Sequence, residues 1–102
     1  MAALDDGGIV GGITEIKDVK SNKEIQDLGK YCVEKNNSLA NGNELTFSAV
    51  VKAEEQVVAG IRYYLTIEAT QNDGVLKRFD ADVVVQPWMK SKELLRFVPS
   101  SN

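Results

Sequence analysis

The sequence has no histidine and a single cysteine, Cys32, among its 102 residues. Without histidine, the chain lacks the base of Ser-His and Cys-His nucleophiles and the commonest zinc ligand. One cysteine cannot form an intramolecular disulfide. No histidine lies near Cys32 to lower its pKa, so we interpret it as a buried small hydrophobe. These absences predict a protein that is not an enzyme and that needs no cofactor or metal.

Long apolar runs and an excess of one charge are also missing. No stretch approaches the ~20 apolar residues that span a bilayer. The net charge of −3 is spread along the chain, which disfavours nucleic acid as well as a membrane as partner. Residues 1–8 lack the basic and apolar regions of a signal peptide, so we expect a cytoplasmic protein, or a secreted one from which a signal peptide has been removed. Length and composition predict one domain over residues 1–102, with residues 1–8 as a flexible leader.

One amphipathic helix is predicted in the first half of the chain. Ser21 and Glu24 form a capping-box pattern, and small or apolar residues recur behind it at helical spacing. The polar residues 36–38 follow, so the pattern predicts a helix over residues 23–35. Gly29 in its middle costs about 1 kcal/mol relative to Ala, which we explain by close approach of the helix to a sheet.

Strand-like alternation fills most of the remaining chain. It predicts a first strand over residues 13–19 and four more over 44–53, 61–70, 78–86 and 94–98, with a strong turn signal at 71–74. Tight connections between consecutive strands imply antiparallel pairing. The predicted fold class is therefore α+β, a single α-helix packed across an antiparallel meander β-sheet of four to five strands.

The connection between the second and third strands has an unusual composition. Gln56-Val57-Val58-Ala59-Gly60 carries β-branched residues where tight turns normally use Asn, Asp, Gly or Pro. Because β-branched side chains resist left-handed backbone conformations, we expect backbone strain in this loop and valines exposed to water. Such departures from local rules are common at functional sites.

Two further apolar segments are expected beside that loop. In an antiparallel meander, the 56–60 connection and Pro87-Trp88 emerge at the same end of the sheet. Ile9-Val10-Gly11-Gly12 precedes the first strand and can start at that end too. Trp88 taken alone is more typical of a core or sheet-flank residue. A soluble monomer seldom clusters apolar groups without a binding purpose, so the three segments together predict a protein-binding edge.

These segments resemble the cystatins, and most of all the plant cystatins (phytocystatins), over residues 9–97. The resemblance rests on Gly11-Gly12, on all five residues of 56–60 and on Pro87-Trp88, in this order and at these spacings. The helix segment 28–36 is similar to the plant-type helix signature. It departs from the commonest form of that signature at three positions, Gly29, Lys30 and Cys32. The absence of disulfides also fits the plant cystatins.

The resemblance implies a reversible, competitive, tight-binding inhibitor of papain-like cysteine proteases. Its N-terminal segment and two hairpin loops would enter the active-site cleft as a wedge, with Val57, Val58 and Ala59 above the catalytic cysteine and Trp88 on the primed side. The protease-binding residues that it implies are Ile9, Val10, Gly11, Gly12, Gln56, Val57, Val58, Ala59, Gly60, Pro87 and Trp88. The monomer is expected to be active, whereas straightening of the first loop would give an inactive domain-swapped homodimer.

Other interpretations remain open. The chain could be a non-inhibitory protein-binding module of the same fold. Asp80 and Asp82 share one strand face and could serve an enzyme, as could Glu54-Glu55, although such runs are more often solvated edges. Asn36 heads a glycosylation sequon that also faintly resembles a legumain-binding motif. Plant cystatins usually carry that motif in a C-terminal extension, which we do not find, so legumain inhibition is not expected.

Overall fold

A computed structural model of the protein describes residues 12–39 and 44–101. Within these ranges one antiparallel sheet has the strand order β1-β2-β3-β4-β5. The strands are β1 (Thr14–Glu15), β2 (Thr46–Val58), β3 (Gly60–Thr70), β4 (Leu76–Gln86) and β5 (Ser91–Pro99). The helix α1 (Lys23–Leu39) follows β1 and packs across one face of the sheet. The predicted α+β fold, one helix on an antiparallel meander, is confirmed.

The core lies between α1 and this face of the sheet. The helix buries one apolar stripe against alternate residues of β2, β3 and β4, which include Val50, Leu65, Ile67, Ala81 and Val83. A Cβ atom on Gly29 would collide with the side chain of Val50 and stand 3.1 Å from the ring of Phe47. The expected close approach of helix and sheet at Gly29 is therefore confirmed.

The first strand is shorter than predicted. A strand over residues 13–19 is wrong, because the paired segment is two residues long, although the Ile16 N–H still donates to the Ala53 carbonyl at 2.9 Å. Asp18 then adopts a left-handed conformation with φ 54°. The chain turns there into a short 3₁₀ helix, Val19–Ser21, which buries Val19.

Asn22, and not Ser21, caps the N-terminus of α1. The side-chain Oδ1 of Asn22 accepts a hydrogen bond from the Ile25 N–H at 3.2 Å. Ser21 belongs to the preceding 3₁₀ helix, where its hydroxyl donates to the Asp18 carbonyl at 3.1 Å. The predicted capping box of Ser21 and Glu24 is wrong, because the 3₁₀ helix moves the cap one residue along the chain.

α1 also ends later than predicted, at Leu39 instead of Lys35. The Asn37 carboxamide accepts from the Leu45 N–H at 2.9 Å and donates to the Leu45 carbonyl at 2.8 Å. Gln26, nearer the start of the helix, makes the same pair of bonds with Val50, at 2.9 and 3.0 Å. Each amide therefore pairs with the backbone as a neighbouring strand would, Gln26 at the outer edge of β2 and Asn37 at Leu45, directly before β2. The Asn37 pair holds one more helical turn in place.

The remaining strands match the prediction with shifted ends. β2 begins later than predicted and runs further, β4 starts two residues earlier, and β5 extends from Ser91 through Pro99. The turn at 71–74 is confirmed, since the Gly74 N–H donates to the Gln71 carbonyl at 2.9 Å and Gly74 has φ 86°. In the part of the chain that the structure describes, no helix is both long and apolar enough to cross a bilayer.

Candidate protein-binding edge

The first loop is tighter than predicted. β2 and β3 pair up to Val58 and Gly60, which leaves Ala59 alone outside the ladder. Gln56, Val57 and Val58 were expected in the loop but are the last residues of β2. Val57 is 59% exposed, so the expectation of a valine exposed to water holds at this strand end.

Gly60 takes the conformation that the valines cannot. It is the residue of 56–60 with positive φ, at 117°, and a Cβ atom there would lie 2.7 Å from the Val85 carbonyl oxygen. The predicted backbone strain at the valines is therefore wrong, because the glycine at the end of the loop supplies the turn. Val57 and Val58 keep the extended backbone that suits β-branched residues.

The second loop is a 3₁₀ helix, Pro87–Met89, followed by Lys90 in a left-handed conformation with φ 50°. Trp88 is 67% exposed and Met89 is 63% exposed. The core or sheet-flank interpretation of Trp88 is thus excluded. Met89 was not predicted as a site residue, although its position directly after Pro87-Trp88 was the signal for it.

The two loops lie side by side. The Gln86 side-chain Nε2 donates to the Ala59 carbonyl at 3.3 Å, which joins the end of β4 to the first loop. Thr14 lies opposite Glu55 in an antiparallel pair, so the chain ahead of Thr14 runs toward the same end of the sheet. We call this surface, formed by residues 12–13, 56–60 and 87–89, the loop edge.

The N-terminal contribution to the loop edge is only partly described. Gly12 and Ile13 are exposed, and among the described residues no heavy atom outside its chain neighbours would lie within 4 Å of a Cβ atom on Gly12. Ile9, Val10 and Gly11 lie outside the described residues, as does the predicted leader at residues 1–8. Their part in the site stays a prediction.

One of the carboxylates considered for an enzyme, Asp82, is paired with arginines. Asp82 is 7% exposed, and its Oδ2 lies 2.9 Å from Nη2 of Arg62 and 3.9 Å from Nε of Arg96. The expectation of a solvated acidic edge is wrong for Asp82, because two cross-strand arginines cover it. Within residues 12–39 and 44–101 no cluster of three or more His, Cys, Asp or Glu side chains could hold a metal ion.

Comparison with known proteins assigns the family. A protein-family model described as SQAPI, aspartic acid proteinase inhibitor, matches residues 16–100. The chain is 44% identical to cysteine proteinase inhibitor 2 of Arabidopsis thaliana over 107 residues, covering 89% of this chain and 73% of that protein. It is 48% identical to cysteine proteinase inhibitor 5 of Oryza sativa subsp. japonica over 99 residues, covering 93% and 66%. The chain belongs to the plant cystatins.

Solved structures agree on the fold of this plant cystatin. The salivary cystatin of the soft tick Ornithodoros moubata superposes with a TM-score of 0.72, covering 88% of this chain and 97% of that one at 22% identity. At so low an identity the match carries the fold alone. The family model and the plant relatives both name proteinase inhibitors, but the protease classes in their names differ.

Proposed function

We propose that this plant cystatin is a reversible, competitive inhibitor of papain-like cysteine proteases and acts without catalysis of its own. The observation that carries the proposal is the exposure of Val57 and Trp88 on two adjacent hairpins at one end of the sheet. The names of the plant relatives support the same target class.

The proposed mechanism is occlusion of the protease cleft by the loop edge. Val57, Val58 and Ala59 would supply apolar contact above the catalytic cysteine of the protease, and Trp88 would pack on the primed side. Ile9 and Val10 would enter the non-primed subsites, with Gly11 and Gly12 allowing the chain to bend. In the proposed complex the first loop would offer no peptide carbonyl to the catalytic cysteine, so the inhibitor should dissociate from the protease uncleaved.

The energetics suit a tight complex. A standard interface of about 1,600 Å² accommodates nanomolar affinity, near −12 kcal/mol. Both loops are continuous with paired strands, so few residues lose conformational freedom on binding. Tryptophan is also among the residue types that dominate binding energy in measured interfaces, which favours Trp88 as the anchor.

Steady-state inhibition of papain by freshly purified monomer tests this proposal. We expect competitive, reversible inhibition at nanomolar concentration, with the inhibitor recovered intact by mass spectrometry. A confirmed monomer that leaves papain fully active would instead support the non-inhibitory binding module of the same fold.

Aspartic proteases are a second candidate target class, favoured by the description of the family model. Pepsin, assayed beside papain with the same inhibitor preparation, separates the two classes. We expect no inhibition of pepsin at concentrations that saturate papain. Inhibition of pepsin without inhibition of papain would replace the proposed target class.

We further propose that the monomer is the active form and that a domain-swapped homodimer is inactive. Ala59 is the single residue between two long paired strands, so extension of this turn would join β2 and β3 into one strand. In such a dimer the first loop no longer exists as a tip that can enter a cleft.

A further inference from the structure

A chain of side-chain contacts crosses the open face of the sheet, which is the face away from α1, and ends at the first loop. Tyr64 Oη donates to Gln56 Oε1 at 2.8 Å. The Arg62 guanidinium lies over the Tyr64 ring, with Cζ 5.0 Å from the ring centroid, and Nη2 donates to Asp82 Oδ2 at 2.9 Å. Arg96 approaches the same oxygen at 3.9 Å. These contacts connect β2, β3, β4 and β5.

The strand register places the Tyr64–Gln56 bond at the base of the loop. Gln56 lies opposite Arg62 and is three residues before Ala59. Tyr64 lies opposite Glu54, so its bond to Gln56 is a diagonal cross-strand contact that reaches along β2 toward the loop. The Gln56 carboxamide is thereby bound to the inhibitor's own sheet.

We propose that Tyr64 is a positioning residue for protease binding, which acts through Gln56 to hold the tip of the first loop. Arg62, itself held by Asp82, keeps the Tyr64 ring in place. The inference rests on the proposed function, because it deepens the role of Val57 and Val58 as the residues that meet the protease. It also makes Gln56 a support inside the inhibitor instead of a direct protease contact.

The physical reason is the cost of ordering the tip. The last pairs of a hairpin have solvent beyond them and open more readily than pairs inside a sheet. A tip that is ordered before binding loses less conformational freedom when it meets a partner. One net hydrogen bond corresponds to roughly a three- to tenfold change in an equilibrium constant, which sets the size of the expected effect.

Tyr64→Phe is the decisive variant, since it removes the hydroxyl and keeps the ring beneath Arg62. We compare it with Gln56→Ala and with the double variant, by measuring papain dissociation constants and amide hydrogen exchange at residues 57–61 of the free protein. Arg78→Gln is the matched control, because it breaks the 3.1 Å ion pair of Arg78 with Glu68 on the same face but at the far end of β3.

We expect Tyr64→Phe and Gln56→Ala each to weaken papain binding roughly three- to tenfold. The dissociation constant of the double variant should not exceed the larger of the two single-variant values. Amide exchange at residues 57–61 should accelerate in both single variants, while Arg78→Gln changes neither quantity. Rescue is tested with Gln56→Glu, whose carboxylate also accepts from Tyr64 and should restore slow exchange.

Two results would overturn the positioning role. Effects of Tyr64→Phe and Gln56→Ala that multiply in the double variant would mean that Gln56 meets the protease itself. Unchanged exchange at residues 57–61 in Tyr64→Phe would mean that its hydroxyl does not hold the tip. If the unmodified protein fails to inhibit papain, the proposed function fails, and the exchange measurement, made without protease, still decides whether Tyr64 orders the loop.

Discussion

The thiol of Cys32 lies on the core side of α1 with no exposed surface. Burial raises the pKa of this thiol from 9.0 to about 12, and the positive charge of Lys92 opposes that rise by a smaller amount. A thiolate would lose its hydration there, so the neutral thiol is favoured throughout the neutral pH range. The interpretation of Cys32 as a structural residue is confirmed.

A pH dependence of stability follows from this burial. The thiol ionises near 9.0 in the unfolded chain but near 12 in the folded protein, so its contribution is fully present below the unfolded pKa and is lost as the pH rises from there toward the folded pKa. Urea denaturation at about pH 8 and about pH 11 should show a larger loss of unfolding free energy for the natural protein than for Cys32→Ala. Equal losses would mean that the folded thiol ionises as readily as the unfolded one.

Trp88 is exposed in the free protein, so its removal should cost binding and not stability. We expect Trp88→Ala to weaken papain inhibition by roughly tenfold or more, at an unchanged melting temperature. Leu76→Ala is the control, because Leu76 is 51% exposed at the other end of the sheet. An inhibition constant that is unchanged by Trp88→Ala would remove this residue from the site.

At the scale of elements, the distance between α1 and the sheet is set at Gly29. Any larger residue there must displace Val50 or Phe47, and both of these β2 side chains pack in the core beneath α1. Gln26 binds the backbone of β2 at Val50, and Asn37 binds the backbone of Leu45 directly before that strand. The helix therefore cannot move outward without breaking hydrogen bonds to β2.

Gly29→Ala tests this close approach. Alanine gains about 1 kcal/mol in helix propensity, but the collision with Val50 adds an overpacking cost of about 1–3 kcal/mol. We expect a net loss of up to about 2 kcal/mol in unfolding free energy by urea denaturation. Lys30→Ala, exposed on the neighbouring position, should stay within about 0.5 kcal/mol, and a stabilised Gly29→Ala would show that the sheet yields at this point.

Element types were predictable from sequence, and element ends were not. Alternation with a period of two reports which face of a strand is buried, and this pattern places β3 within one residue of its observed start. The end of α1 depends on Asn37 binding Leu45, and the early end of β1 is followed by the left-handed turn at Asp18. Neither interaction leaves a periodic pattern in the sequence.

The candidate site was likewise predictable in part. The loop edge was predictable in composition and place, because an antiparallel meander puts alternate connections at one end. The exposure of Met89 and the hydrogen bond from Tyr64 to Gln56 depend on local backbone turns and strand register. Gly60 is itself a residue type that tight turns favour, and its positive φ relieves the valines of the strain that was expected of them.

At the scale of the molecule, the loop edge is connected to the core through β2 and β3. Both strands contribute to the core, and Ala59 alone connects the end of β2 to the start of β3. The helix is bound to β2 by the Gln26 amide and to Leu45, directly before β2, by the Asn37 amide. We therefore expect α1 and β2 to separate from β3 as a unit if this connection extends.

Heating the protein close to its melting temperature should produce the domain-swapped dimer. We expect size-exclusion chromatography of the heated and cooled sample to show a dimer that no longer inhibits papain, since Ala59 would then lie within a continuous strand. An unheated sample at the same concentration is the control. Recovery of monomer alone would count against the swap, and a fully inhibitory dimer would show that association uses another surface.

The turn at residues 71–74 lies at the opposite end of the sheet from the loop edge, and β3 alone separates them by about 36 Å. Its residues Asn72, Asp73 and Gly74 are exposed. A fluorophore, surface linkage or second protein attached at this turn would point away from a bound protease. Two copies joined tail to tail through their turns should each capture one protease molecule, and would convert a single-site inhibitor into a bivalent reagent.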